Sequence, residues 1–427
     1  MTEDPISVTM VSDFPAGGAT HSAGRGLASY TRNLVRALEG QAGRVAVTVF
    51  ATDVQTDAAP ESPQAGAGGT GDPACGSAPH RTTQVVRYGR RGLGFLVRAF
   101  RRILRDRRRI DVVHVQHEYA QYGRKLPLLL PIFLVLLRLI GKPVVVTMHG
   151  VVTGPELTES FCRQHFFSAR WRRLVGWAFD LTNLLIARLA RHLVFHQEAL
   201  ARTFQARYGG AAARARIIPH GIEARLDSMP SEAAKAQLGL TGKRTILCFG
   251  YLSGYKGLDV LVRAAALLDR KVYAILVAGK APADLAGSAE YARRMEALRS
   301  LAEQTAPHLR FTGFIPEDRF AAHFSAADVV VSPYPEMHAC SGPFSLTIAY
   351  ERPFLVSQAF GRLYRTPPEL RFDCDPESLA AAIRRFFEDP SQAQAGVRWE
   401  RDHKIGRLWP DVAEKTEALY GSTSPPR

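Results

Sequence analysis

Residues 245–257 read TILCFGYLSGYKG and run directly into LDVLVRAAALL, and few folds can accommodate that order. The segment 245–249 is short, apolar and rich in β-formers, the pattern of a strand buried on both faces. Gly250 and Gly254 permit a tight turn. After Lys256 and Gly257, the side chains of Leu258, Val260, Leu261 and Ala264 recur at helical spacing. A strand, a glycine-bearing loop, a lysine and a helix start together favour an anion. Unpaired amides and the helix dipole face it, and the lysine adds a mobile positive charge. The segment is neither a Walker loop nor a G-x-G-x-x-G fingerprint, so it indicates phosphate binding without fixing the nucleotide.

Strands and helices alternate on both sides of this unit. Residues 6–11 form an apolar strand, followed by a glycine-bearing loop that reaches Gly26 and a helix, LASYTRNLVRALEG, that stops at Gly40. That loop reads either as a phosphate or acceptor loop or as a plain βα turn. Residues 45–51 are the second strand. Residues 55–82 contain Ala, Gly, Pro, Ser and Thr with almost no large apolar side chains, and read as a disordered insertion. Residues 85–110 read as a basic amphipathic helix with Leu93, Phe95, Leu96, Phe100, Ile103 and Leu104 as its stripe. Residues 111–118 and 143–150 are strands that end in polar groups, placing His117, Glu118 and His149 where an open parallel sheet meets its ligands. Each of these histidines also has an ordinary structural reading. Residues 184–195 give a helix and the last strand of this half, and 217–222 an extended crossing segment.

The second half continues with strands at 272–277, 309–313, 329–332 and 354–357. The helix at 343–350 starts at Ser341-Gly342, a second amide-rich turn. Asp373-Cys374-Asp375 has the form of a D-x-D metal motif. Because Pro376 follows Asp375 and opens a helix, the capping reading is preferred. The fold class is therefore α/β, with two Rossmann-like, doubly wound domains facing an interdomain cleft. We expect an N-terminal domain at 1–205, completed by a terminal helix at 409–421, and a C-terminal domain at 206–408.

The chain has 427 residues, with 55 Lys and Arg against 40 Asp and Glu, a net charge of +15. That excess points to an acidic partner. The stripe at 93–104 and the cluster at 170–177, RWRRLVGW, suggest peripheral contact with an anionic membrane. The alternative is an ordinary surface helix with its stripe on the sheet. No helix-turn-helix, RNP-like or zinc pattern accompanies the charge, so no nucleic-acid partner is expected. Five scattered cysteines suit a reducing cytosol. No signal peptide is read at the N-terminus. The most apolar run, 126–140, is too short and too interrupted to span a bilayer, which needs about 20 residues.

Taken in order, GLASYTRNLVRAL, HVQHEY, VVVTMHG, IIPHGI, FGYLSGYKG, FTGFIP and the SPY…SGP…ERPFLVS stretch resemble the retaining, GT-B-fold glycosyltransferases of family 4. The resemblance covers the chain except for residues 55–82. It implies transfer of a sugar from a UDP- or GDP-linked donor to a glycan or lipid-linked acceptor, with retention, in the cytoplasm or at the inner membrane face. It also implies an acceptor-binding N-terminal domain, a nucleotide-sugar-binding C-terminal domain and no cofactor or metal.

Residue by residue, Lys256 matches the lysine that binds the donor diphosphate. Tyr251 stands where the family often has arginine. His117 matches the histidine near the donor sugar and acceptor, with Gln116 as the alternative, and His149 matches the next strand-end histidine. Gly250, Phe314 and Ile315 would lie against the nucleotide, and Ser341 and Gly342 against phosphate. The family's paired glutamates fall at Ala339 and Thr347, with Glu336 three residues early. The catalytic set is thus His117, Lys256 and Glu336, with Gly26, Glu118 and His149 on the acceptor side. Closure of the two halves would exclude water. The competing readings are a sugar-nucleotide epimerase or phosphorylase of the same fold, and a degenerate relative that has lost its glutamates.

Overall fold

The computed structural model describes residues 4–15, 26–41, 43–52, 83–88, 92–119, 129–165, 168–209, 214–282 and 285–424. The centre of the first glycine-bearing loop and the insertion at 55–82 lie outside the described residues.

Two parallel sheets organise the chain. The first contains β1 (Ile6–Asp13), β2 (Val45–Thr52), β3 (Gln84–Arg87), β4 (Val112–His117), β5 (Val144–Met148), β6 (His192–Phe195) and β7 (Ala215–Ile217). Its order is β3-β2-β1-β4-β5-β6-β7. The second contains β8 (Arg244–Phe249), β9 (Tyr273–Ala278), β10 (Leu309–Gly313), β11 (Val329–Ser332), β12 (Phe354–Ser357) and β13 (Arg371–Phe372), in the order β10-β9-β8-β11-β12-β13. Each order reverses once, between β1 and β4 and between β8 and β11. Reversal points of this kind are where doubly wound sheets bind ligands, beyond the carboxyl ends of the strands.

Contacts divide the chain into two units: 1–147, 189–192 and 413–427 in one, and 148–188 and 193–412 in the other. This division does not coincide with the boundary drawn from sequence at 205/206. In the first unit the C-terminal helix Trp409–Thr423 brings Tyr420 to His114 on β4, whose Nδ1 lies 2.6 Å from the tyrosine hydroxyl. The opposite nitrogen of His114 meets the Thr147 hydroxyl at 2.7 Å. Burial pushes the pKa of His114 down to about 3, so the ring is neutral in this network.

In the second unit, alternation along each strand feeds two cores. Ile246 and Cys248 of β8 join Ile275, Val277, Val329 and Val331 on one face. Leu247 joins Leu276, Val330, Phe320 and Phe324 on the other. Strands covered on both faces read as continuous apolar runs, as residues 245–249 do.

Three sequence expectations need correction. Residues 84–87 form the strand β3 rather than part of a helix, and the basic helix is Leu93–Asp106. Residues 215–217 pair with β6 as a seventh strand before the crossing segment. β13 was not anticipated. All three strands are short and lie at or beside a sheet edge, where side chains are partly exposed and the apolar signal is weak. The capping reading of Asp375 agrees with the structure: its carboxylate accepts from the Ser378 amide at 2.7 Å. No helix among the described residues is long and apolar enough to cross a membrane.

Candidate functional site

The loop after β8 is shaped by glycine. Gly250 has φ +128° and Gly257 φ +63°. A Cβ on Gly257 would fall 1.8 Å from the Pro333 carbonyl oxygen. Only glycine lets this loop press against the one after β11 while holding a left-handed backbone. Between them a 3₁₀ turn, Gly254–Lys256, turns the lysine inward, and the helix Leu258–Ala266 follows.

Lys256 is 6% exposed. Its ammonium donates to the Tyr334 hydroxyl and sits 4.0 Å from that ring's centroid and 5.5 Å from the Tyr255 centroid. Among the described residues no carboxylate pairs with it. Burial lowers its pKa, and only Tyr255 and Cys248 oppose that. A desolvated ammonium held by a hydroxyl and π-faces is costly to the protein alone, and an anion would offset that cost. The lysine and Tyr334 follow β8 and β11, the two strands flanking the reversal point of the second sheet.

The second helix start converges on the same place. A Cβ on Gly250 would lie 3.5 Å from the Lys256 Nζ and 2.7 Å from Cγ of Pro343. Ser341 caps the helix Gly342–Ala349 by accepting from the Phe344 amide at 3.3 Å. Its own amide donates to the Tyr364 hydroxyl at 2.7 Å, the Ser345 amide turns to the Ser341 carbonyl, and Pro343 has none. Gly342 therefore holds the amide this turn can offer a ligand. Thr347 is fully buried, with its hydroxyl donating to the Pro343 carbonyl at 3.1 Å.

Tyr251 is half-buried beside Gly250. The Gly250 amide donates to the Ala278 carbonyl and the Gly279 amide to the Gly313 carbonyl, aligning the ends of β8, β9 and β10. Beyond them Phe314 is 47% exposed, with the Lys280 ammonium 4.9 Å over its ring, while Ile315 is buried in the core.

Glu336 is elsewhere engaged. His338 lies between two carboxylates, with Nδ1 3.3 Å from Glu156 and Nε2 3.4 Å from Glu336. Burial opposes a charge on this ring, but its bonds and ion pairs to both glutamates win and raise its pKa to about 9. The same loop is tied by backbone: Gly150 bridges Ala339, and the Val151 amide donates to the His338 carbonyl at 2.7 Å. Glu156 is held further by the amide and hydroxyl of Thr153, both at 2.7 Å. His149 precedes this bridge. Its Nδ1 is 3.3 Å from Nε2 of His196, whose Nδ1 meets the Ile218 carbonyl at 2.9 Å.

The remaining candidates belong to the first unit. His117 ends β4 with its ring edge-on to Tyr119 at 5.0 Å, and burial pushes its pKa down to about 4. Gln116, the alternative, shares its face of β4 with His114, 3.3 Å away. Glu118 is exposed, and Gly26 opens the helix Gly26–Glu39 with open space where a Cβ would sit. Thus the structure gathers Gly250, Lys256 and the helix start after Ser341 into one group, and Glu336 and His149 beside a second. Tyr334, Glu156, His196 and His338 were not singled out from sequence. Tyr334 carried a local signal, a tyrosine between two prolines just past a strand.

Comparison with known proteins adds the family. Residues 24–226 match the family described as Glycosyltransferase Family 4, and residues 243–389 match Glycosyl transferases group 1. A D-inositol 3-phosphate glycosyltransferase of Kineococcus radiotolerans is 27% identical over 257 residues, 55% of this chain and 58% of that protein. A GDP-mannose-dependent alpha-(1-6)-phosphatidylinositol monomannoside mannosyltransferase of Mycobacterium tuberculosis is 32% identical over 133 residues, 29% of this chain and 31% of that protein. The matches thus span less than two thirds of these curated relatives. Sucrose-phosphate synthase from Thermosynechococcus elongatus superimposes with a TM-score of 0.71 at 20% identity, over 98% of each chain. Anabaena HepE in complex with UDP-glucose gives 0.67 at 14% identity, over 97% of this chain and 100% of that one. With two family matches in sequence order and two parallel doubly wound sheets, the chain belongs to the group 1, family 4 glycosyltransferases of GT-B fold.

Proposed function

We propose that this protein transfers a sugar from a nucleoside diphosphate sugar, UDP- or GDP-linked, to a glycan or lipid-linked acceptor with retention, in bacterial polysaccharide or glycolipid synthesis. The observation that carries the reading is the buried ammonium of Lys256 at the reversal point of the second sheet, with no carboxylate partner among the described residues. A departing diphosphate gains negative charge as the glycosidic bond breaks, and a preorganised cation stabilises that charge. Gly342 would add an amide, and Phe314 an exposed ring beside the base. The relatives named for D-inositol 3-phosphate and for phosphatidylinositol monomannoside support an inositol-phosphate or phosphoinositide class of acceptor. In this reading residues 206–408 hold the donor, and residues 1–205 with the terminal helix hold the acceptor, with His117, Glu118, His149 and Gly26 on that side.

Thermal shift against UDP, GDP and their sugars, followed by product analysis with the responding donor, tests this directly. Stabilisation by one nucleoside diphosphate and transfer of its sugar is expected. No shift with any nucleotide would favour the degenerate reading that the residues at Ala339 and Thr347 raise.

The acceptor would be met at an anionic membrane face. In the first unit the helices Leu93–Asp106 and Leu129–Leu139 pack together. Phe95, Leu96 and Ile103 are buried, as an ordinary surface helix requires, yet Leu93, Ile132 and Leu139 are 59%, 56% and 77% exposed. In the second unit Trp171, Leu174 and Trp177 stand out at 55%, 57% and 60% beside Arg170, Arg172 and Arg173. Apolar side chains ringed by arginine suit a lipid headgroup region. Each basic residue near such a surface contributes about 1 kcal/mol. Changing Arg101, Arg102, Arg105 and Arg107 together to glutamine should weaken retention on anionic vesicles at least tenfold. Arg102 and Arg105 already share Asp106, which limits the loss. Equal retention by wild type and variant would remove this surface from the reading.

A further inference from the structure

We propose that Tyr334 is a positioning residue that holds the Lys256 ammonium by one N–H without neutralising it, leaving its other N–H groups for a diphosphate. That a diphosphate is the occupant rests on the glycosyltransferase reading; the hold itself does not.

The hold starts in the backbone. Lys256 ends the turn after β8, and Gly257, next in the chain, has φ +63° and lets that turn press against the Pro333 carbonyl. Tyr334 follows Pro333, so one close approach of main chains sets the lysine and the tyrosine side by side. The same carbonyl accepts from the Cys374 thiol at 3.3 Å, and the Tyr334 carbonyl accepts from the Ser357 hydroxyl. The Tyr334 ring is 2% exposed and stands edge-on to Phe360 at 5.3 Å and to Tyr255 at 6.1 Å. A phenol packed in this way is a fixed acceptor. The ammonium, on its flexible stem, is the partner that is placed.

A hydroxyl suits this task and a carboxylate would not. An ammonium has three donors and no acceptor. Among the described residues the Tyr334 hydroxyl is the one hydrogen-bond partner of the Lys256 ammonium. A carboxylate at that point would cancel the charge and repel phosphate. Burial raises the pKa of the phenol, so it stays neutral and leaves the positive charge intact. The phenol also bonds with the side chains of Ser332 and Ser341, and Ser341 caps the helix Gly342–Ala349. Tyr334 thus joins the two parts of the candidate phosphate site, the lysine after β8 and the helix start after β11.

Tyr334→Phe tests the hold, because it keeps the ring and its packing and removes only the oxygen. The protein is labelled with carbon-13 at lysine Cε, with Lys256 assigned by comparison with Lys256→Met. The wild-type amine should titrate below its ordinary value of 10.5, because burial disfavours its charge. In Tyr334→Phe it should titrate about one pH unit lower again, since the lost hydrogen bond favoured the charged form. At pH 7 the variant should bind the nucleoside diphosphate that stabilises the wild type, UDP or GDP, about tenfold more weakly. Affinity should fall in both proteins as pH rises through the lysine pKa, and in Tyr334→Phe the fall should come about one unit earlier. An affinity lowered equally at every pH, with the lysine titration unmoved, is what loss of packing alone would give and overturns the proposal. So does a wild-type amine that titrates at 10.5, which decides the matter even where Tyr334→Phe fails to fold. The expected titrations with unchanged nucleotide affinity in the variant overturn the service to the diphosphate. The expected titrations in a protein that binds neither nucleotide overturn the proposed function, while the hold stands.

Discussion

Lys256→Ala should lower turnover by about two to three orders of magnitude while the protein remains folded, the loss seen when one preorganised donor to a developing anion is removed. The expectation follows from what surrounds the amine. A surface lysine in an ion pair contributes little. This one is buried, its ammonium has lost its water, and a tyrosine hydroxyl and two ring faces replace only part of that hydration. Removing the amine leaves the Tyr334 hydroxyl short of one partner but also removes an uncompensated charge, so the effect on stability should be small.

The nucleotide response should separate binding from folding. At a ligand concentration one hundred times the wild-type Kd, a hundredfold weaker affinity lowers the stabilisation from about 2.7 to about 0.4 kcal/mol. Lys256→Met, which keeps the apolar stem, should lose the nucleotide-dependent shift in melting temperature as the alanine variant does. If folded Lys256→Ala and Lys256→Met turn over the donor at the wild-type rate, Lys256 has no part in the chemistry and the phosphate site must be sought elsewhere.

The fold and part of this site are legible in the sequence for a physical reason: their signals are local. The strand at 245–249, the glycines and the lysine follow one another, and steric rules link them without reference to the rest of the chain. The same holds for Ser341 and Asp375, each of which caps its helix by accepting from the amide three residues further on. What the sequence does not display is the pairing of distant side chains. Glu336 reads as a displaced member of a glutamate pair; the structure instead gives its carboxylate to His338, because Glu156 arrives from a loop remote in sequence and completes a clamp around the ring. The contact made by His196 is hidden in the same way, since the Ile218 carbonyl that its ring meets belongs to the crossing segment. Short edge strands such as β7 and β13 escape for a different reason, having too few covered side chains to leave a pattern.

The clamp makes a second prediction of large effect, and its sign depends on pH. In the unfolded chain His338 has an ordinary pKa of 6.5; folded, it is raised to about 9. Each pKa unit corresponds to about 1.4 kcal/mol, so the shift represents about 3 kcal/mol of stability. Because the folded pKa is the higher one, the folded state binds the proton more tightly. The stabilisation is therefore complete below about pH 6.5 and is lost as pH rises through about 9. The ring is 18% exposed, and Glu156 and Glu336 are 33% and 29% exposed, so solvent screens the clamp only in part. The lowered pKa of Glu156 reflects the same contact, together with its bonds to Thr153, and does not add to this figure.

His338→Gln keeps a hydrogen-bond donor toward one glutamate but carries no charge. It should be less stable than the wild type by about 3 kcal/mol at pH 6. The gap should narrow through pH 8 to 9 and close by about pH 10, where the wild-type ring has also lost its proton. Melting curves of both proteins across that range measure the gap. A constant difference from pH 6 to 10 would mean that the ring is held by packing against Phe161 and not by its charge. The Gly150–Ala339 bridge lies in the same loop, so the clamp also fixes the approach to Ser341 and Gly342. Nucleotide affinity of the wild type should then weaken over the same pH interval, while that of His338→Gln, already weaker at pH 6, should stay level across it.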